Sequence, residues 1–203
     1  MDQSSEPSDA LARAAPHFRR LFARIVAVSL IGWLPAATLA QAAPVQIVAL
    51  GASNTAGFGV GRDQAYPAQL QAMLRARGHD VQMANAGISG DTSAGMLGRL
   101  ASAAPEGTRI VILDPGNNDI KACTEPWRPQ RCATPGERAA AINAISRRLR
   151  ARGVKVLMAN IEFRSLPITH WLADGRHLTG EGHRIIAARL VPKVIAAMGS
   201  EPR

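Results

Sequence analysis

Residues Val45-Gln46-Ile47-Val48-Ala49-Leu50-Gly51-Ala52-Ser53-Asn54, VQIVALGASN, run apolar at five of six positions and then turn on a glycine. Strands covered on both faces read as continuous apolar runs, because neither face has to meet water. The stretch therefore predicts a buried parallel strand. Its continuation, Gly51 to Gly61 or GASNTAGFGVG, is either a phosphate cradle or a turn that presents a nucleophile. A dinucleotide cradle needs G-x-G-x-x-G and an acid near the end of the next strand. The glycines stand at 51, 57, 59 and 61, and the next apolar segment ends in Met83-Ala84-Asn85, so that pattern is not met.

Outward from this stretch, short apolar runs alternate with helical ones, the mark of an α/β domain with a parallel sheet. Strands are expected at Val45 to Leu50, Val81 to Ala84, Arg109 to Leu113 and Val154 to Ala159. Helices are expected at Tyr66 to Arg77, with Pro67 in the first turn, and at Thr92 to Ala103. A third starts at the capping box Thr134-Pro135-Gly136-Glu137 and runs to Gly153. The last begins near Thr179 and carries Ile185, Ile186, Leu190, Val194 and Ile195, with a kink expected at Pro192.

The amino-terminal 42 residues differ from the rest. Arg19, Arg20 and Arg24 precede an uncharged run from Ile25 to Ala40 and the small residues Ala40-Gln41-Ala42. Positive flank, apolar core and A-x-A site together form an export signal, so residues 1–42 are read as that segment and 43–203 as one domain. The competing reading is an uncleaved anchor, since Ile25 to Ala43 could just span a bilayer. Phe18-Arg19-Arg20-Leu21-Phe22 also resembles a twin-arginine signal, without a preceding Ser or Thr. The expected location is periplasmic or secreted.

The whole chain has a net charge of +9; without the signal, 20 Lys+Arg face 12 Asp+Glu, a balance of +8. The densest cluster, Arg147, Arg148, Arg150 and Arg152, falls at a predicted helix end, where cations favour the helix dipole. With eight aromatics in the chain and none interleaved among these arginines, no nucleic-acid partner is expected. Cys123 and Cys132 lie nine positions apart. In an exported protein they read as a disulfide; a metal pair is the poorer competitor because no His lies nearby, and free thiols remain open.

In open parallel sheets, ligands bind at the carboxyl ends of strands. The loops there are Gly51-Ala52-Ser53-Asn54, Asn85-Ala86-Gly87-Ile88-Ser89-Gly90-Asp91-Thr92 and Pro115-Gly116-Asn117-Asn118-Asp119, with Asp174-Gly175-Arg176-His177 before the last helix. Singly, each has a structural explanation as a cap or turn. Jointly they hold a nucleophile, Ser53, a base, His177, an acid, Asp174, and an amide donor, Asn118. Three residues apart in a turn, Asp174 can reach the His177 Nδ1–H and leave Nε2 to take the serine proton. That step needs a neutral imidazole, so activity is expected to fall on acidification. His79, His170 and His183 are read as structural or surface residues.

GASN, NAGISGDT, GNND and DGRHLTGEGH, in this order, resemble the four blocks of the SGNH (GDSL-type) hydrolases, and NAGISGDTSAG is similar to the thioesterase I branch. The blocks span Gly51 to His183. The resemblance implies a flavodoxin-like three-layer α/β/α sandwich with a four- to five-stranded parallel sheet. It also implies hydrolysis of esters or thioesters through an acyl-serine, on a small-molecule substrate and without metal or organic cofactor. By motif, Ser53 is nucleophile and first oxyanion donor through its N–H, Gly90 the second, Asn118 the side-chain donor, and Asp174 and His177 complete the triad.

Two departures stand out. Ala52 occupies the usual Asp position of the first block. Only 14 residues, Asn160 to Ala173, separate the fourth strand from Asp174, where relatives have a further helix and strand. The loop with Cys123, Trp127 and Cys132 follows Asn118 and is read as a lip on which Trp127 shapes substrate choice, or as a stapled surface loop. An O-acetyl carbohydrate esterase is the alternative within the class. A silent carbohydrate- or lipid-binding module is the alternative outside it. Oligomeric state is left open.

Overall fold

The computed structural model describes residues 43–121, 133–161 and 166–199. The expected export segment and Cys123, Trp127 and Cys132 lie outside the described residues. Four parallel strands, β1 (Val45–Gly51), β2 (Val81–Gly87), β3 (Thr108–Asp114) and β4 (Lys155–Met158), lie in the order β2-β1-β3-β4. The chain leaves β1 for β2 on one side and returns to β3 on the other. The carboxyl ends of β1 and β3 therefore flank the crevice where such sheets bind ligands.

The opening stretch shows why the layers form. Side chains alternate along a strand, and in β1 both faces are apolar. Ile47 and Ala49, with Ile110 and Ile112 of β3, pack into one buried cluster with Tyr66, Leu70 and Leu74 of α2 (Tyr66–Arg75) and Ile186, Leu190 and Val194 of α7 (Gly180–Gly199). Val48 and Leu50, with Val111 and Leu113, pack into the other. Its partners are Met96 of α3 (Ser93–Gly98), Leu100 of α4 (Leu100–Ala103), and Ile145 and Leu149 of α6 (Pro135–Arg150). The two remaining helices, α1 (Ser53–Ala56) and α5 (Asn118–Lys121), are single turns set at the ends of β1 and β3. Each fully buried Leu or Ile contributes about 1.5–3 kcal/mol, so the central strands carry much of the stability.

Several boundaries moved. The strand β2 continues to Gly87 because Asn85, Ala86 and Gly87 stay in register with Ala49, Leu50 and Gly51. The helix expected over Thr92 to Ala103 divides at Arg99, whose backbone leaves the helical region (φ −98°, ψ 11°). Thr92 caps α3 by accepting from the Gly95 N–H. The capping box at Thr134 and Glu137 is formed, and α7 continues through Pro192. Between β4 and α7 the described residues hold a 3₁₀ turn, Ile168–His170, and an isolated antiparallel bridge, Trp171 to Leu178, rather than a fifth strand. None of the described helices is long and apolar enough to cross a membrane.

Candidate active site

At the end of β1 the chain turns through Ala52 (φ −99°, ψ −144°) into α1, so Ser53 opens a helix of four residues. Gly57 ends it in the left-handed region at φ 82°. Ala52 is buried within the apolar cluster beneath α3 and α6. The backbone of α1 lies so close on β2 that a Cβ at Gly87 would strike the main chain of Thr55 and Ala56, which explains a glycine ending that strand.

Asp174 and His177 sit in a loop clamped by the Trp171–Leu178 bridge and by the Leu172 N–H donating to the His177 carbonyl at 2.7 Å. The Asp174 Oδ2 lies 2.5 Å from His177 Nδ1, and its Oδ1 accepts from the N–H groups of Arg176 (2.8 Å) and His177 (3.0 Å). The bond to His177, first, and those two backbone donors hold the Asp174 carboxyl down at about 2. An ionised carboxylate cannot donate, so Nδ1 carries the hydrogen and Nε2 is left as the acceptor. The ring of Phe58 rests against the imidazole at a centroid distance of 4.4 Å.

On the other wall, Asn118 donates through Nδ2 to the Asp91 carbonyl at 2.8 Å, which leaves its second amide hydrogen for another acceptor. Gly90, beside Asp91, holds φ at 84°, a conformation that favours glycine. Arg99 fastens this loop: its guanidinium donates to the Asp91 carboxylate (2.7 Å) and to the carbonyls of Ala86 (2.8 Å) and Gly51 (3.3 Å). The break in the predicted helix thus puts Arg99 where it bonds the ends of β1 and β2 together.

Ser53, Asn118 and His177 line one cleft of about 260 Å³, with Ile161 and Trp171 as apolar walls. Asp174 does not line the cleft but bonds to His177, which does, and Gly90 is joined to the cleft through Asp91 and Asn118. No hydrogen bond joins Ser53 to His177 among the described residues, and such bonds are often loose before substrate binds.

Two site residues escaped sequence reading. Asp114, at the end of the apolar run of β3, lines the same cleft while almost fully buried. It accepts from the Thr55 hydroxyl on α1 (3.2 Å) and the Gly116 N–H (3.3 Å); burial pushes its carboxyl up to about 6. The one available signal was an acid closing an otherwise hydrophobic strand. Asn54 is the other: its side chain bonds to the backbone on both sides of His177. His183 proves structural, buried with its Nδ1 accepting from the Tyr66 N–H at 3.2 Å, and desolvation lowers its imidazole to about 4.

Residues 49–167 match the model of the GDSL-like lipase/acylhydrolase family. The match ends before Asp174. Esterase TesA of Pseudomonas aeruginosa is 35% identical over 138 residues, which are 67% of this chain and 64% of the relative. The chain therefore spans just under two thirds of that relative's length. A crystal structure of TesA superposes with a TM-score of 0.63 at 24% identity, covering 75% of this chain and 99% of the other. A psychrotrophic esterase, EstA from Pseudoalteromonas sp., superposes with a TM-score of 0.62 at 16% identity, covering 76% and 99%. At these identities the two superpositions speak for the fold.

Proposed function

The chain belongs to the GDSL-like lipase/acylhydrolase family, and from that premise we propose that it is an exported serine hydrolase of carboxylic esters or thioesters. The Ser53 hydroxyl attacks the acyl carbon while His177 Nε2 takes its proton. Asp174 holds the ring in the needed tautomer and stabilises the imidazolium. The N–H groups of Ser53 and Gly90 and the free amide hydrogen of Asn118 receive the oxyanion, a contribution of about 3–4 kcal/mol per donor at sites of this type. The proton on Nε2 then passes to the leaving alcohol or thiol, and water hydrolyses the acyl-serine by the same steps in reverse order.

One observation carries this reading: Ser53, Asn118 and His177 line one cleft, and the Asp174 carboxylate is bonded to His177 Nδ1. A binding module has no use for that bond. The apolar walls Ile161 and Trp171 suit an acyl group, and residues 1–42 serve as the export segment. Hydrolysis of p-nitrophenyl esters from C2 to C12, by the wild type and Ser53→Ala, tests the assignment. Equal turnover by both proteins overturns it. The chain length preferred by the wild type separates short acyl or aryl esters from lipid-like substrates.

A further inference from the structure

On the reading above, in which Ser53 and His177 react together, we propose that Asn54 is a positioning residue that sets their register. It does so by fastening the His177 loop to the nucleophile's own helix. Asn54 follows Ser53 directly on α1. Its Nδ2 donates to the Arg176 carbonyl at 3.2 Å and its Oδ1 accepts from the Leu178 N–H at 3.0 Å. These groups flank His177 on either side. A carboxamide offers one donor and one acceptor along one edge, as a neighbouring strand does, so Asn54 acts as a one-residue strand partner for 176–178.

The backbone accounting of that segment shows how much depends on this side chain. The N–H groups of Arg176 and His177 go to Asp174, and the His177 carbonyl goes to Leu172. The Arg176 carbonyl and the Leu178 N–H have Asn54 as their partner. One edge of the segment thus bonds within the loop, and the other bonds to the helix that carries Ser53. Phe58 restrains the imidazole ring at 4.4 Å, but it does not hold the backbone that carries it. With no direct Ser53–His177 bond among the described residues, the clamp links the helix of Ser53 directly to the backbone on both sides of His177. Misplacing reacting groups by about 1 Å can reduce the rate by about 10²-fold.

Asn54→Leu and Asn54→Asp test the proposal, each scored for kcat, KM, Tm and the rate at which a p-nitrophenyl phosphonate labels Ser53. The leucine variant loses both bonds. The aspartate variant is nearly isosteric with asparagine, keeps the acceptor for Leu178 and sets an oxygen against the Arg176 carbonyl, so it removes one bond without changing side-chain volume. The expected result for both is a fall in kcat of roughly 10- to 100-fold with a parallel fall in labelling, while KM stays within about twofold. Wild-type kcat and labelling in the folded variants overturns the proposal, as does a loss that only follows the unfolded fraction. Ser53→Ala, run alongside, keeps the two ideas apart. Its inactivity upholds the serine reading whatever Asn54 does; wild-type turnover by Ser53→Ala sinks that reading itself.

Discussion

The buried carboxylate of Asp119 accepts the Ser93 N–H at 3.2 and 3.1 Å and the Ser93 hydroxyl at 2.8 Å. It thereby ties α5, which carries Asn118, to the start of α3, which follows the Gly90 loop. Asn118 bonded to the Asp91 carbonyl is a second tie between the same two segments. The two loops proposed to stabilise the oxyanion are thus fastened to each other at two points, with the Arg138 guanidinium 3.7 Å from the Asp119 carboxylate.

Asp119→Ala strips the Ser93 N–H and hydroxyl of their buried acceptor and is expected to cost about 3 kcal/mol of stability. Ser93→Ala, which removes only the hydroxyl donor, costs about 1–2 kcal/mol. Both are expected to lower kcat for a p-nitrophenyl ester more than they raise KM. Urea melts together with steady-state kinetics check this; unchanged kcat in both variants would show that the tie is structural only.

Asp174→Asn removes the charge that holds the His177 tautomer and is expected to reduce kcat by about 10³- to 10⁴-fold with the fold intact. The Asp174 carboxyl sits at about 2, so it stays ionised throughout mildly acidic solution. A fall in activity on mild acidification therefore does not arise from protonation of Asp174. A pH–rate profile from pH 4 to 9 with wild type and variant tests the pair of statements.

Stability against pH has two opposing contributors. Asp114 is raised from 3.8 to about 6 by burial, so the folded chain holds its proton where the unfolded chain has released it. That stabilisation is complete below pH 3.8 and is lost as pH rises to about 6. His183 is lowered from 6.5 to about 4, also by burial; its contribution is complete above 6.5 and is lost as pH falls to about 4. Each is on the order of 3 kcal/mol and they run in opposite directions, so the wild type is expected to be nearly flat from pH 4 to 6. Asp114 faces Arg138 and Tyr66, and His183 feels His177. In Asp114→Asn the His183 loss stands alone. Denaturant melts at pH 4.5 and 7 should show that variant losing stability in acid where the wild type does not.

Gly87→Ala sets a methyl group against the backbone of α1 beneath Ser53. Because backbone rather than a flexible side chain must yield, a loss of about 3 kcal/mol is expected, near the upper end for overpacking. Activity per folded molecule should fall as well, since the helix that shifts carries Ser53, the proposed nucleophile. A variant with native Tm would show that α1 yields freely.

The layers were legible in the sequence because an apolar run such as VQIVAL can be buried on both faces only inside a covered parallel sheet. The four motif loops were legible because strand ends and turn residues leave local signals. Arg99 was not, since its role lies in a break of periodicity that helix propensity does not reveal. Asp114 was visible only as an acid at the end of a strand; that its carboxylate would be buried under Thr55 depends on where α1 lands.

What VQIVALGASN determined by itself is a buried central strand and a serine held at its carboxyl end, because side-chain periodicity and glycine turns act within a few residues. What only the tertiary structure decided is how that serine is set beside His177. Asn54 reads in sequence as one more turn residue, and its two bonds reach a segment over 120 positions away. Such a contact depends on the packing of α1 against β2 and of the 171–178 hairpin beside it, and on interactions between distant parts of the chain that no local pattern encodes.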